Sequence, residues 1–367
     1  MKKILALLFA AVIPVSVCAC NSGGNDSSSS SGSFSESTDA EYGYVSLLND
    51  RTFEKGFVVR GLGNPIYNDP VEFFGTDAFN PNVWFDYEKK DAKKPKWQLC
   101  QWATRYPFHD KNNTTDSFNY RFTDEGNGKY LYENRSKTVE TNTKTGEFRL
   151  ALKASECYKY DRVQGQEWPH LLIAQEWGYS ETDLQYKVSE SDSLKYRIKA
   201  KMNSFEDKMV GEADPSLHSA ICVAYLYVAH KPEGAISYTD MLWLGFPIFD
   251  NRTPYPTGMS FIDEGSKGSA TGKWIYNISS IDYLTPSNNM FDKQGNIQTE
   301  KWVEIDLEMI PYIERALNDA QRGGLMKGAT MDTLYISGMY VGFELPGTYD
   351  IDVSFKDLQI ESYIKTK

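Results

Sequence analysis

The sequence has few cysteines, few histidines and little basic charge for its length. Five cysteines and four histidines occur in 367 residues, and there is no CxxC pair or HExxH helix. The chain therefore carries no metal motif, and neither a metal nor another cofactor is expected. Its 39 Lys+Arg against 50 Asp+Glu give a net charge of -11. Nucleic acid is thereby excluded as a partner, because its binding requires a basic surface.

Hydrophobic runs of membrane-spanning length are also missing, although the N-terminus carries an apolar stretch. Residues 1–20 join Lys2 and Lys3 to an apolar stretch that is too short to span a membrane comfortably, which is typical of an export signal. The stretch ends in the sequence VCAC. Small residues before a cysteine resemble the lipobox of bacterial lipoproteins, and this resemblance implies diacylation of Cys20 or, as the alternative, of Cys18. A plain secretory signal is the other interpretation.

The segment after the signal is rich in Ser and Gly and has almost no apolar residues, so it is expected to be a flexible tether. We therefore divide the chain into a signal peptide (1–19), a lipidated cysteine with its tether (20–42) and a single β-sandwich domain (43–367). Removal of the signal takes away two lysines and makes the mature chain more acidic. Membrane contact is expected through the lipid anchor only, in the bacterial cell envelope at the outer membrane.

Strand patterns recur through residues 43–363. The segment 194–202 alternates apolar and basic residues, as a half-buried strand does, whereas 219–229 and 241–249 are continuous apolar runs typical of central strands. One helix is predicted near residues 309–322 from its i, i+3, i+4 apolar spacing. Many strands, one packed helix and no βαβ alternation predict an all-β fold, an antiparallel β-sandwich of the jelly-roll type.

The first group of candidate site residues lies in the segment 166–177. Strand alternation places Trp168, His170 and Glu176 on one face and Gln175 on the other, unless a bulge intervenes. A tryptophan, a histidine and a carboxylate on one face suit a sugar-binding cleft. The alternative is a buried histidine with a backbone partner and exposed carboxylates at the strand end.

A second group stands at the ends or entries of other apolar strands. Asp250 and Arg252 share a face after a hydrophobic strand, and Glu344 closes another strand before a Pro-Gly turn. The alternatives are a corner brace for the Asp–Arg pair and a solvated rim position for Glu344. His218 precedes the run 219–229 and gains interest only if it lies near His170.

Tryptophans supply the remaining candidates. Trp243 lies in the run 241–249, and Trp102 lies in a segment with two Trp and two Gln. Aromatic faces pack against the apolar face of a sugar ring, while amides and carboxylates bridge its hydroxyls. Trp102 and Trp243 are therefore candidate platforms, although Trp243 also fits a core position.

The lipobox, the tether and the aromatic-rich β domain together resemble exported glycan-utilisation lipoproteins of Bacteroidota. The closing segment GFELPGTYDIDVSFKDLQIESY (342–363) is similar to the last strands of concanavalin-like, jelly-roll carbohydrate-active domains. This resemblance implies a polysaccharide or glycoprotein glycan as partner. The E-x-D-x-x-E strand of retaining glucanases in that superfamily is absent, which counts against glucanase chemistry.

Three functions remain open on the sequence. The first is binding of a neutral or weakly charged glycan. The second is catalysis. A glycoside hydrolase would use two of Glu176, Asp250 and Glu344, with Glu167 as the next candidate. A polysaccharide lyase would use His170 as base, with Arg252 stabilising the anion. The third is a scaffold or adhesion role. Convergence of these side chains on one concave surface would favour an enzyme.

Overall fold

The computed structural model describes residues 41–60, 84–85, 95–101, 103, 106, 108, 121–178, 185–263 and 271–366. Cys20, the signal, most of the tether and Trp102 lie outside these residues. The strands, in chain order, are β1 (Glu41–Ser46), β2 (Phe57–Arg60), β3 (Trp84–Phe85), β4 (Trp97–Cys100), β5 (Arg121–Gly126), β6 (Lys129–Glu133), β7 (Lys137–Asn142), β8 (Phe148–Lys153), β9 (His170–Glu176), β10 (Tyr186–Lys187), β11 (Ser191–Asp207), β12 (Ile221–His230), β13 (Asp240–Asp250), β14 (Met259–Ile262), β15 (Trp274–Asn277), β16 (Trp302–Glu308), β17 (Leu334–Glu344) and β18 (Tyr349–Thr366).

The strands form two sheets. An eight-stranded sheet has the order β16-β11-β18-β8-β7-β6-β5, with β1 beside β18, and a ten-stranded sheet has the order β14-β15-β13-β12-β17-β9-β4-β2-β3, with β10 beside β17. Pairing is antiparallel except between β13 and β15 and between β2 and β4. Residues from both sheets share one hydrophobic cluster, here called the inner core. The predicted antiparallel β-sandwich is confirmed.

The eight-stranded sheet has one buried and one charged face. Along β11, Leu194, Tyr196 and Ile198 are buried in the inner core, and the intervening positions are basic. On the outer side, Arg197 donates to Asp306 at 3.0 Å and lies 3.4 Å from Glu361. This alternation is the pattern of a sheet with one solvated face, as the sequence predicts.

The ten-stranded sheet is buried on both faces at its centre. All ten residues of β12 are buried. Alternate residues such as Cys222 and Leu226 belong to the inner core, whereas Tyr225 and Tyr227 belong to a second cluster on the opposite side. The side of this sheet that faces away from the inner core is called the outer face below.

The predicted helix is confirmed as α2 (Ile310–Arg322), preceded in the chain by the single turn α1 (Ala154–Cys157). Four α2 residues at helical spacing enter the inner core: Ile313, Ala316, Leu317 and Ala320. Gly323 ends the helix where a Cβ would lie 2.4 Å from the Trp274 ring. The close approach between α2 and β15 thus requires glycine at this position.

The cysteines of the domain are buried. Cys100 packs on the outer face of the ten-stranded sheet, whereas Cys157 packs in the inner core, so no disulfide joins these two thiols. Cys222 also lies in the inner core, where burial raises the pKa of its thiol. No described helix is long and apolar enough to cross a membrane.

Lys137 is an unusual inner-core neighbour because it is a lysine only 2% exposed. Its Nζ donates to the Tyr106 carbonyl and to Ser136 Oγ, and it lies 5.7 Å from the centre of the Phe108 ring. Burial lowers the pKa of Lys137 from 10.5 to about 7. Such a lysine loses its charge more readily on folding, since burial removes the ammonium group from water.

Substituting Lys137→Met is expected to raise Tm at pH 7. Between about pH 7 and pH 10.5 the unfolded lysine is protonated while the folded one is neutral, so folding releases a proton and stability falls as the pH decreases across this window. Methionine removes that dependence, and the Tyr106 carbonyl keeps the 2.9 Å bond from Asn134. Thermal melts across the window, with the exposed Lys144→Met as control, measure the effect. If the curves of Tm against pH for wild type and Lys137→Met run parallel, this expectation is wrong.

Candidate functional site

The strand register brings three of the predicted residues into one row on the outer face. Asp250 lies opposite Ile221, Ile221 lies opposite Glu344, and Glu344 lies opposite His170. Neighbouring strands are about 4.8 Å apart, so the backbones of Asp250 and Glu344 are separated by about 10 Å. All three polar residues are buried.

His170 and Glu344 form a close pair at one end of this row. His170 Nε2 lies 3.8 Å from Glu344 Oε2, and their side chains are 3% and 5% exposed. The pair is held by the backbone register between β9 and β17. Removal from water strengthens any charge interaction between an imidazolium and a carboxylate.

Asp250 is held by Arg252 at the other end of the row. Arg252 donates from Nε to Oδ1 at 2.8 Å and from Nη2 to Oδ2 at 2.6 Å, and its Nη1 donates to the Pro215 carbonyl at 3.0 Å. Burial lowers the pKa of Arg252, but the hydrogen bonds and charge of Asp250 outweigh burial and raise it overall. With both oxygens engaged, Asp250 resembles the corner brace that the sequence left open.

A second row of polar and aromatic side chains lies next to the first. Asn277 pairs with Gly245, and Tyr225, Tyr340, Ala174 and Gln98 follow across successive strands. The rings of Tyr225 and Tyr340 are 4.9 Å apart. A Cβ on Gly245 would lie 2.2 Å from Asn277 Oδ1 and 2.4 Å from the Tyr225 ring. Glycine thus lets both side chains cover the backbone of β13.

Trp243 and Tyr227 continue this surface in a third row. Their rings are 4.6 Å apart in an edge-to-face arrangement, and Trp243 is 5.8 Å from Tyr340. These rings belong to what we call the outer-face cluster. Its members are Cys100, Leu172, Ala174, Ile221, Val223, Tyr225, Tyr227, Ala229, Met241, Trp243, Ile275 and Tyr340.

Several polar atoms on this face lack a hydrogen-bond partner in the described part of the chain. They are Trp243 Nε1, Tyr340 OH, Asn277 Oδ1 and Gln98 Oε1. All four side chains are more than nine-tenths buried. A buried polar group without a partner costs about 1–3 kcal/mol, and a native structure holds few of them. These four atoms leave hydrogen-bonding capacity unused on the outer face.

The tyrosine hydroxyls of the cluster are kept as donors. Burial, followed by the charges of Glu344 and other acidic groups, raises the pKa of Tyr225 and of Tyr340 above the ordinary value. Both hydroxyls are therefore protonated at neutral pH. A protonated hydroxyl both donates and accepts hydrogen bonds, as a sugar hydroxyl does.

A small cavity of about 30 Å³ lies beside these residues. Asp250, Glu344, Asn277 and Tyr225 contribute to its wall. Its volume is room for about two water molecules. The described residues contain no group of three or more His, Cys, Asp or Glu side chains able to hold a metal ion.

Glu176 lies on the same side of β9 as His170, as the sequence predicted, but away from the His170–Glu344 pair. Glu176 is six residues along β9 from His170, which is about 20 Å in an extended strand. It receives a 3.4 Å hydrogen bond from Gln98. Trp168 precedes β9 and is buried in the inner core, so it does not stand on the outer face as predicted. The Trp168 ring is 5.7 Å from the His170 ring, and the Arg162 guanidinium lies 5.0 Å above it.

Gln175 and His218 are held by backbone groups instead of joining the row. Gln175 accepts from Asn49 N at 3.0 Å and donates to the Asn49 carbonyl, on the side of β9 away from His170. His218 Nδ1 accepts from Asp214 N at 3.0 Å, and Nε2 lies 2.7 Å from the Arg162 carbonyl. The first bond places the proton on Nε2, which then donates to that carbonyl. Both side chains thus fix loops.

Sequence reasoning missed Tyr225, Tyr227, Tyr340 and Asn277. Tyr225 and Tyr227 carried a usable signal, because tyrosines two apart in a continuous apolar run share one face of a strand. Asn277 and Tyr340 carried none, since their convergence depends on strands far apart in sequence.

No protein-family model matches the chain, and no curated protein matches it. Solved structures of similar backbone include an endoglucanase, Cel12A, from Rhodothermus marinus, with 11% identity, a TM-score of 0.34 and coverage of 67% of this chain and 97% of that chain. A family 12 xyloglucanase from Bacillus licheniformis has 9% identity and a TM-score of 0.35, with coverage of 67% of this chain and 97% of that chain. A family 11 xylanase from Neocallimastix patriciarum has 9% identity and a TM-score of 0.31, with coverage of 67% of this chain and 95% of that chain. At these values the likeness carries no argument about activity.

Substituting Arg252→Ala is expected to destabilise the protein by about 3–5 kcal/mol, because it leaves the Asp250 carboxylate buried without its guanidinium partner. Urea denaturation measures the change. Lys208→Ala is the control, since Lys208 pairs with Glu206 on the exposed surface at 2.5 Å and its loss should have little effect. Equal, small changes in both variants would show that Asp250 does not need its partner.

Proposed function

We propose that the protein binds a neutral glycan on the outer face of the ten-stranded sheet. The observation that carries this proposal is the group of buried polar atoms without described partners at Trp243, Tyr340, Asn277 and Gln98. Trp243 and Tyr340 lie among aromatic rings that pack edge to face. A sugar offers both an apolar C–H face for the rings and hydroxyls for these donors and acceptors.

Charge supports a neutral or weakly charged ligand. Asp250 and Glu344 face the cavity, and the cation beside them, Arg252, is committed to Asp250 and to the Pro215 carbonyl. The whole chain carries a net charge of -11. A sulfated or uronate-rich polymer would be repelled by this surface.

Binding requires local movement, because a cavity of about 30 Å³ is smaller than a sugar ring. Thr257 is exposed and Met259 is half-buried on the wall of this cavity, within the segment 256–259 that follows β13. Displacement of this segment opens the face toward Asn277 and Tyr225. The ligand then satisfies polar atoms that are otherwise buried without partners.

The proposed location is the bacterial cell envelope, with acylated Cys20 in the outer membrane and residues 21–42 as tether. The signal-like stretch ending in VCAC supports this part of the proposal. A lipid-anchored domain with a glycan-binding face fits a role in capturing extracellular polysaccharide or glycoprotein glycans.

Substituting Tyr340→Phe is expected to weaken glycan binding about five- to tenfold while leaving stability equal or higher. The change removes one hydroxyl, which bonds the ligand in the complex but is buried without a described partner in the free protein. Affinity electrophoresis in gels containing neutral polysaccharides, with thermal melts in parallel, measures both effects.

The matched control is Tyr196→Phe. The Tyr196 hydroxyl is also buried without a described partner, but it lies in the inner core between the sheets. This variant should gain stability and bind as wild type does. If Tyr340→Phe and wild type bind the glycan equally well, the outer face is not the binding surface.

Glycoside hydrolysis is a second candidate, favoured by one specific observation. Asp250 and Glu344 line the same cavity with backbones two strands apart, a spacing compatible with the 6.5–9.5 Å separation of carboxyl groups in inverting enzymes. The Arg252 clamp on Asp250 counts against it, because Arg252 occupies both carboxylate oxygens, which leaves neither available to exchange a proton with a substrate or water.

The protein should therefore be retained in gels that contain neutral polysaccharides, and incubation with these polysaccharides should produce no new reducing ends. Glu344→Gln tests the alternative, with Glu176→Gln as control because Glu176 lies about 20 Å away along β9. Products from wild type and from Glu176→Gln, but not from Glu344→Gln, would establish hydrolysis in place of simple binding.

A further inference from the structure

A groove larger than the outer-face cavity lies on the opposite side of the β14–β15 edge of the ten-stranded sheet. It has a volume of about 610 Å³ and runs between the β14–β15 hairpin and α2. Tyr276 packs against the inner core on this side, whereas its neighbour Ile275 belongs to the outer-face cluster. The groove and the outer-face cavity are thus separated by β14 and β15, and they share only Met259 and Asn277 in their walls.

The aromatic and charged groups in the groove are held by contacts with one another. The Arg315 guanidinium lies 4.5 Å from the centre of the Tyr312 ring, and the Tyr312 hydroxyl donates to Asp282 at 3.3 Å. Trp274 Nε1 donates to Asp319 at 3.3 Å. These contacts restrain the Tyr312 and Asp319 side chains before a ligand binds.

The charges in the groove are balanced. Arg322 bonds Asp319 at 2.7 Å, and Arg315 lies 4.0 Å from Asp282. Each arginine thus already has a carboxylate, which leaves no excess positive charge in the described lining to attract an anion. Asn318 adds an exposed amide that both donates and accepts.

We propose that this groove is a second binding site for a neutral saccharide. Its volume lies within the range of about 300–1,000 Å³ that is usual for ligand sites. Tyrosine rings, an amide and paired carboxylates are the groups that contact a sugar ring and its hydroxyls. The inference concerns a different surface from the outer-face cluster and does not depend on ligand binding there.

Isothermal titration with neutral gluco-, xylo-, manno- and galacto-oligosaccharides tests this site through two substitutions. Asn318→Ala changes an exposed helix position and should leave the fold intact, and Tyr312→Phe keeps the ring but removes the bond to Asp282. Each is expected to weaken one binding event about fivefold or more, as loss of a polar contact does. Glu314→Ala, an exposed position on the same helix outside the groove, is the control and should bind as wild type does.

The outcomes separate this inference from the proposed function. Binding that Asn318→Ala weakens and Tyr340→Phe leaves unchanged supports the groove and rejects the outer face. Binding that Tyr340→Phe weakens, with Asn318→Ala and Tyr312→Phe equal to wild type, overturns the groove site. If the wild-type protein binds no neutral oligosaccharide, both proposals are wrong. If it prefers anionic oligosaccharides, the groove proposal is wrong.

Discussion

The burial of the ten-stranded sheet on both faces is the constraint on which the other features depend. In β12 every residue is buried, and the neighbouring strands β13 and β17 are buried almost throughout. Mostly apolar residues fill the side toward the eight-stranded sheet. The opposite side carries tyrosines, a tryptophan and several polar groups in the same dry environment. Each of those polar atoms must find a partner or carry an energetic cost.

Two kinds of solution occur on that outer face. Asp250 is satisfied within the protein, because Arg252 and the adjacent backbone surround its oxygens. Tyr340, Trp243 and Asn277 keep polar atoms without described partners. The first arrangement is complete within the protein, whereas the second leaves hydrogen-bonding capacity, which the proposed function assigns to a ligand. This contrast favours recognition of hydroxyl groups over acid–base chemistry as the role of the face.

Local sequence patterns predicted the elements well. Alternation in β11, the apolar runs of β12 and β13 and the helical spacing of α2 all depend on near neighbours, and the structure has each of them. The faces of β9 were also predictable, because strand alternation alone separates His170 from Gln175.

The composition of the site was only partly predictable. Glu344 and Asp250 were recognised as candidates, but their alignment with His170 depends on pairing between strands that are up to about 170 residues apart in sequence. The role of His218 is set by the loop bonds from Asp214 and to Arg162, which no strand pattern encodes. Tyr340 and Asn277 gain meaning only from their neighbours across the sheet.

The most direct test of glycan binding on the outer face is a crystal structure of the protein grown with a neutral oligosaccharide. The account predicts a sugar ring against Trp243, a hydrogen bond from the Tyr340 hydroxyl to the sugar and displacement of the segment 256–259. A saccharide bound elsewhere, with the Trp243 and Tyr340 side chains still enclosed and the 256–259 segment unmoved, would contradict it.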